Sequence, residues 1–200
     1  MGHHLTPRAR RAGSTTQVVI VGAGPIGMEF AYIYRAYGAE VTVLEMLPHL
    51  LPHEDDDVSV EIEQAMKKLG IRFRVNTKVE RASMGEKVQL QVSSEGKAET
   101  IEAAQVLVAI SVRPNVENIG LEAVGVELER GAIKVDADCR TNVPGIYAIG
   151  DATMKMPLAH VASAQGKIAA EKIAGQAPHP LNLNHVPRCT SVHHKLPRLV

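Results

Sequence analysis

The stretch Val18-Val19-Ile20-Val21-Gly22-Ala23-Gly24-Pro25-Ile26-Gly27-Met28-Glu29 decides how this chain folds. Val18 to Val21 is a β-branched run with no polar residue, as a buried parallel strand requires. Glycines then break the run, and Ile26, Phe30, Ile33 and Tyr37 recur at three- and four-residue steps, the spacing of one helix face. The spacing predicts a helix over Met28 to Tyr37, ending near Gly38. Glu40 to Glu45 follows as a second strand, so strand, tight turn, helix and strand fit within about thirty residues, one βαβ unit.

Each glycine of the Gly22-Ala23-Gly24-Pro25-Ile26-Gly27 turn has its own task in a dinucleotide fingerprint. Gly22 permits the tight turn, Gly24 lets backbone approach a pyrophosphate, and Gly27 lets helix and sheet pack closely. Unpaired N–H groups at the helix start supply donors to the anion. Glu45 falls about twenty residues beyond the turn, where a carboxylate can accept both ribose hydroxyls of an adenosine. An added 2′-phosphate would meet like charge at a cost of at most about 4 kcal/mol at 4 Å and an effective dielectric near 20, so NAD is expected over NADP.

Working outward, Met46 to Pro52 reads as a loop, and Asp55, Asp56 and Asp57 load negative charge at the start of a helix running to about Gly70. Ile71 to Val75 reads as a third strand. Lys78 to Ala82, Lys87 to Val92 and Glu99 to Ile101 read as an antiparallel meander replacing a crossover helix, and Ala103 to Ile110 returns to the parallel sheet. After Arg113-Pro114 the texture changes to short apolar pieces, Gly120 to Val126, Ala132 to Val135 and Gly145 to Ile149. An Ala-rich helix is expected over Ala159 to Ala174, stopped at Gly175, with an irregular tail beyond.

Composition narrows the function classes. Lys plus Arg and Asp plus Glu both number 22, so no basic excess is available for nucleic acid or an anionic membrane surface. The 45% hydrophobic and 22% charged content describes a globular chain with an aliphatic core, since aromatics are 3%. No apolar run is long enough for a membrane span, because Glu29 interrupts the one from Val18. The leader, residues 1–16, has arginines but no apolar segment to make it an export signal. Cys139 and Cys189 have no paired spacing, which argues against a disulfide framework or zinc cage and favours a reducing, cytoplasmic compartment. The histidines His179, His185, His193 and His194 lack a fixed frame for a metal, and no metal site is expected.

Three segments together resemble one family: Gly22 to Ala31, the strand end Val43-Leu44-Glu45-Met46-Leu47-Pro48, and Thr141-Asn142-Val143-Pro144-Gly145-Ile146-Tyr147-Ala148-Ile149-Gly150-Asp151. They are similar to the dihydrolipoamide dehydrogenase branch of the pyridine nucleotide-disulfide oxidoreductases, over about residues 17 to 190. The resemblance implies an α/β fold: a Rossmann-like NAD-binding domain with a β-meander crossover over 17–110, then the second segment of a similar FAD-binding domain over 111–176. Residues 177–200 would be an irregular tail opening a dimerisation domain. It implies that Gly22, Ala23, Gly24, Pro25, Ile26, Gly27, Met28 and Glu29 line the pyridine nucleotide, that Glu45 holds the adenosine ribose, and that Val79 contacts the adenine side. Ser111 stands where the family usually has glycine. Asp151 would accept hydroxyls of the flavin's ribityl chain, and Pro157, Leu158, Ala159 and His160 would start a helix whose backbone donors face the flavin ring.

The family's chemistry passes electrons from dihydrolipoamide through a Cys-x-x-x-x-Cys disulfide and FAD to NAD, with a His–Glu pair from the partner subunit. None of those catalytic residues is in this sequence, so the resemblance implies a middle portion that is inactive alone. Missing FAD and dimerisation segments, a homodimer partner and a 2-oxo acid dehydrogenase complex are the implied partners. A related NADH-dependent disulfide reductase or oxidase, or a noncatalytic NAD-binding module, are the alternatives. The resemblance stops after Cys189-Thr190, and a shifted reading frame is one explanation for Ser191 to Val200.

Overall fold

A computed structural model describes residues 16–192. The leader up to residue 15 and the tail from 193, with His193 and His194, lie outside the described residues. Among the described residues the chain forms two compact units, one of residues 16–110 with 189–192 and one of Ser111–Arg188.

The first unit is built on β1 (Gln17–Val21), α1 (Pro25–Ala36), β2 (Glu40–Leu44), α2 (Asp56–Lys68) and β3 (Arg72–Arg74). An antiparallel meander follows, β4 (Thr77–Met84), β5 (Val88–Ser94) and β6 (Lys97–Ala103), before β7 (Gln105–Val108). The parallel sheet has the order β3-β2-β1-β7, with Val18 opposite both Val41 and Gln105. Because β1 has no polar side chain after Gln17, it can be covered on both faces, and it is. Val18 and Ile20 join Met28, Ala31, Ile62 and Met66 on the helical face. Val19 and Val21 join Leu90, Val92 and Ala103 under the meander. Fully burying each such side chain is worth about 1.5–3 kcal/mol, so this central strand anchors the unit.

Helix α2 follows its charge pattern, with Asp56 and Asp57 in the first turn and Lys67 and Lys68 in the last. Arg35 ties the two helix ends together, its Nε donating to the Leu69 carbonyl at 2.8 Å and its Nη1 to the Ala39 carbonyl at 3.2 Å. An exposed ion pair between Arg74 and Glu99 joins the sheet edge to the meander, worth little by itself.

The apolar repeat that identifies α1 is on its outer face. Ile26, Phe30, Ile33 and Tyr37 are all exposed, Tyr37 by 76%, whereas Gly27, Met28 and Ala31 are buried. Gly27 and Ala31 are small where α1 starts almost against the sheet, and bulkier residues at those two positions would hold helix and strand apart, while Met28 fills the core beside them.

The second unit contains α3 (Leu121–Val124), a two-residue hairpin of β8 (Leu128–Glu129) and β9 (Ala132–Ile133), and α4 (Ala159–Ile173). The apolar piece Ile146 to Ile149, which has the composition of a strand, forms none; one isolated bridge pairs Arg140 with Tyr147. A parallel strand needs a neighbour for its backbone groups, and no described strand of this unit lies beside it. Ile146 and Ala148 pack instead on a small cluster of Val116, Val126 and Ile133. Beyond α4, residues 176–192 are irregular apart from a 3-10 turn at Leu183–His185.

Candidate functional site

The turn from Gly22 to Gly27 sits at the carboxyl end of β1, where the chain order reverses between β2 on one side and β7 on the other. In open parallel sheets that position forms a crevice. Gly22 has φ +103, and a Cβ there would lie 2.6 Å from the Ala109 carbonyl oxygen, so the end of the strand that returns after the meander closes the turn. Gly22 N–H donates to the Leu44 carbonyl and Ala109 N–H to that of Val21, both at 2.8 Å. At Gly27 a Cβ would overlap the Gly22 carbonyl oxygen.

Gly24 differs from both. Its backbone is extended, φ −68 and ψ 177, and a Cβ would meet no protein atom within 4 Å. The fold itself needs no glycine there. Pro25, at the first helical position, has no N–H to lose, and the N–H groups of Ile26 and Gly27 in the first turn have no acceptor within the helix. Pro25 and Ile26 are exposed, while Ala23 and Met28 are buried.

Glu45 is buried, at 8% exposure, and anchors the turn. Its Oε2 accepts the Ala23 N–H at 2.7 Å and its Oε1 the Leu47 N–H at 2.9 Å. A carboxylate offers about four lone-pair sites, so two such bonds leave acceptor capacity. Leu51 completes the brace by donating its N–H to the Ala23 carbonyl at 2.9 Å. Thr77 N–H donates to the Glu45 carbonyl at 2.8 Å, which sets β4, and Val79 two residues along it, beside the end of β2. Val79 is half-buried on the packed face of the meander, against the cluster of Val19, Leu90 and Val92. Glu29 is half-buried on α1 and accepts the Ser191 N–H. A separate groove of about 690 Å³ at the β3 edge is lined by Thr42, Lys67, Phe73 and Ile101 among others; no residue of the glycine turn lines it.

In the second unit Ser111 is exposed and its φ is not positive, so the backbone there accepts a side chain. Asp151 is exposed within a 3-10 turn, Gly150–Thr153. Gln165, 5% exposed on α4, holds that turn by accepting the Gly150 N–H on Oε1 at 2.7 Å. Pro157 is exposed, Leu158 caps α4, and Ala159 and His160 begin it. His160 Nε2 donates to the Pro187 carbonyl at 3.1 Å, so its ring anchors the tail of this unit. Burial pushes the Cys139 thiol above its ordinary range, outweighing the pull of Lys155; its Sγ lies 3.8 Å from the Gln165 carbonyl. Among the described residues no group of three or more His, Cys, Asp or Glu is placed to hold a metal, and no helix is long and apolar enough to cross a membrane.

Leu51 and Ala109 hold the glycine turn of the first unit and Gln165 holds the Asp151 turn of the second, three residues that sequence reasoning did not find. For Gln165 there was a signal: it lies on the Val161, Ile168, Ala169 face of a helix whose other members are apolar, a position where a long polar side chain must find a partner.

The family profile described as pyridine nucleotide-disulphide oxidoreductase matches residues 3–166. The chain belongs to the pyridine nucleotide-disulphide oxidoreductases. Among curated members of the family it is 52% identical over 160 residues to the dihydrolipoyl dehydrogenase of Mycobacterium tuberculosis, covering 79% of this chain and 34% of that protein. It is 43% identical over 191 residues to that of Zymomonas mobilis, covering 94% of this chain and 40% of the relative. The chain thus spans between a third and two fifths of the length of these relatives. Among solved structures, LpdA from M. tuberculosis superposes with a TM-score of 0.78 at 35% identity, covering 86% of this chain and 37% of that one. RclA from Escherichia coli, described as an HOCl-induced flavoprotein disulfide reductase, gives 0.74 at 27% identity, covering 82% and 38%. The mixed α/β architecture with its parallel sheet is the one this family uses.

Proposed function

We propose that this chain is the NAD-binding portion, with part of the flavin-binding portion, of a dihydrolipoyl dehydrogenase that passes electrons from dihydrolipoamide through a disulfide and FAD to NAD. The observation that carries the nucleotide assignment is Gly24. The glycines on either side of it are required by the protein's own atoms, whereas the space at Gly24 is left open by the protein, and the unpaired N–H groups of the first turn of α1 adjoin it. A diphosphate fits that space, and Glu45 retains acceptor capacity for the ribose hydroxyls of the adenosine half. Val79 supplies an apolar contact for adenine, and Glu29 a carboxylate toward the pyridine half.

When bound, NAD supplies the hydride acceptor and FAD the relay from the dithiol. The chain's own residues do the positioning. Glu45 fixes the turn through Ala23 and repels a 2′-phosphate, favouring NAD over NADP. Asp151, its turn tied to α4 by Gln165, offers a carboxylate to the ribityl hydroxyls. The exposed start of α4, at Ala159 and His160, would offer its backbone N–H groups to the flavin ring, with Pro157 and Leu158 setting the entry to that helix. Ser111 presents a side chain where the family usually has none.

The sequence holds two cysteines, Cys139 buried and Cys189 exposed, and neither spacing nor environment makes them a redox pair. The dithiol chemistry therefore belongs to other segments: the remainder of the flavin domain, a dimerisation domain and a homodimer partner, working within a 2-oxo acid dehydrogenase complex in the cytoplasm. The chain alone is expected to be inactive toward lipoamide. The likeness to RclA favours as second reading another flavoprotein disulfide reductase, since the substrate pocket would lie in those segments.

The test is calorimetry with NADH and NADPH on the intact chain and on Gly24→Val. Val fits the extended backbone and its Cβ would meet no protein atom within 4 Å beyond its chain neighbours, so the melting temperature should hold while NADH affinity falls at least about tenfold, roughly 1.4 kcal/mol. NADH should bind more tightly than NADPH. Unchanged NADH affinity in Gly24→Val would remove the assignment, and NADPH binding as tightly as NADH would remove the role of Glu45.

A further inference from the structure

The carboxylate of Glu29, just past the first turn of α1, has a partner from far along the chain. The Ser191 backbone N–H donates to Glu29 Oε1 at 2.7 Å. A tight bend delivers it, with Val192 N–H donating to the Thr190 carbonyl at 3.1 Å. The Val192 side chain is half-buried against the cluster that contains Val18, Ile20 and Met28. The segment is thus attached twice, by a charge-assisted hydrogen bond and by an apolar anchor. Both attachments come from the segment that follows Cys189.

We propose that Thr190 to Val192 form a strap that competes with the pyridine half of the dinucleotide for Glu29. The inference rests on the dinucleotide reading of the glycine turn. Nicotinamide carries a carboxamide, whose N–H is the same kind of donor as the peptide N–H that Ser191 gives to Glu29. Where the carboxamide takes the Oε1 lone pair that Ser191 occupies, the strap must withdraw. A strap closed for about nine-tenths of the time raises the apparent dissociation constant about tenfold, because only the open fraction is competent to bind. The diphosphate and adenosine contacts, at the helix start and Glu45, are untouched by it.

The experiment compares the full chain with Ser191→Pro, which removes the donor, and Val192→Asp, which removes the anchor. Each is titrated with NADH and with ADP-ribose, which lacks the pyridine ring, and folding is checked by melting temperature. The expected result is NADH binding tightened about tenfold in both variants and ADP-ribose binding equal in all three proteins. Hydrogen exchange should show the Ser191 and Val192 amides protected in the free chain and released by NADH. Equal NADH affinity across the three would overturn the strap and leave the dinucleotide reading intact. An equal tightening for ADP-ribose would also overturn it, since the effect would not lie at the pyridine end. No binding of either compound by any variant would overturn the dinucleotide reading, and the strap with it. Should Ser191→Pro fail to fold, Val192→Asp and the exchange measurement decide.

Discussion

At Gly27 a single methyl group would collide with the Gly22 carbonyl oxygen, a backbone atom that cannot move without opening the turn. Gly27→Ala should destabilise the chain by about 3 kcal/mol, the upper range for overpacking, visible as a lower urea midpoint. An unchanged midpoint would show that α1 can slide outward. Gly24→Val tests the other kind of glycine, with a ligand phenotype and no stability phenotype. The sequence pattern Gly-x-Gly-x-x-Gly distinguishes these jobs only through the motif's mechanism; the structure separates them by what surrounds each Cα. Glu45 shows where reading by residue type stops. Its place at the end of β2 was legible from its spacing to the turn. Its second duty, accepting the Ala23 and Leu47 N–H groups, was not, because that depends on how the Met46 to Asp55 loop folds back.

Among the elements, α4 carries a polar residue on its buried face, and Gln165 spends its carbonyl on the Gly150 N–H. Gln165→Leu keeps the volume but leaves that N–H without a partner, a loss of about 1–3 kcal/mol. Thermal melting should show the loss, and faster amide exchange at Gly150 should accompany it; an unmoved melting point and exchange rate would mean that the turn holds without Gln165. Helix α1 gives the complementary lesson. Three- and four-residue periodicity revealed the helix, but not which face is buried, since Ile26, Phe30, Ile33 and Tyr37 point outward and Gly27 and Ala31 inward. Close backbone approach selects small residues, which carry little hydrophobic signal. The meander was legible from alternation and turn residues, because antiparallel neighbours are adjacent in sequence. Ile146 to Ile149 has the composition of a parallel strand, and composition cannot supply the neighbour such a strand needs.

For the molecule as a whole, apolar side chains remain in solvent on both units: Val108, Ile110 and the α1 stripe on the first, Ile119, Val124, Ile149 and Ile173 on the second. A typical soluble monomer limits contiguous apolar surface to a few hundred Å², so the isolated chain should bind a hydrophobic dye while folded and self-associate as its concentration rises. Sedimentation as a monomer at every concentration, with no dye response, would contradict this. The relatives are more than twice as long as this chain. The closure of Gly22 by Ala109 has a further effect. Those two residues are separated by almost the entire first unit, so the turn cannot reach its working shape until β7 has arrived. Loop closure over that span is slow compared with forming the local β1-α1-β2 piece. A chain still emerging from the ribosome would have its first helix early and its phosphate cradle only after the meander has been made.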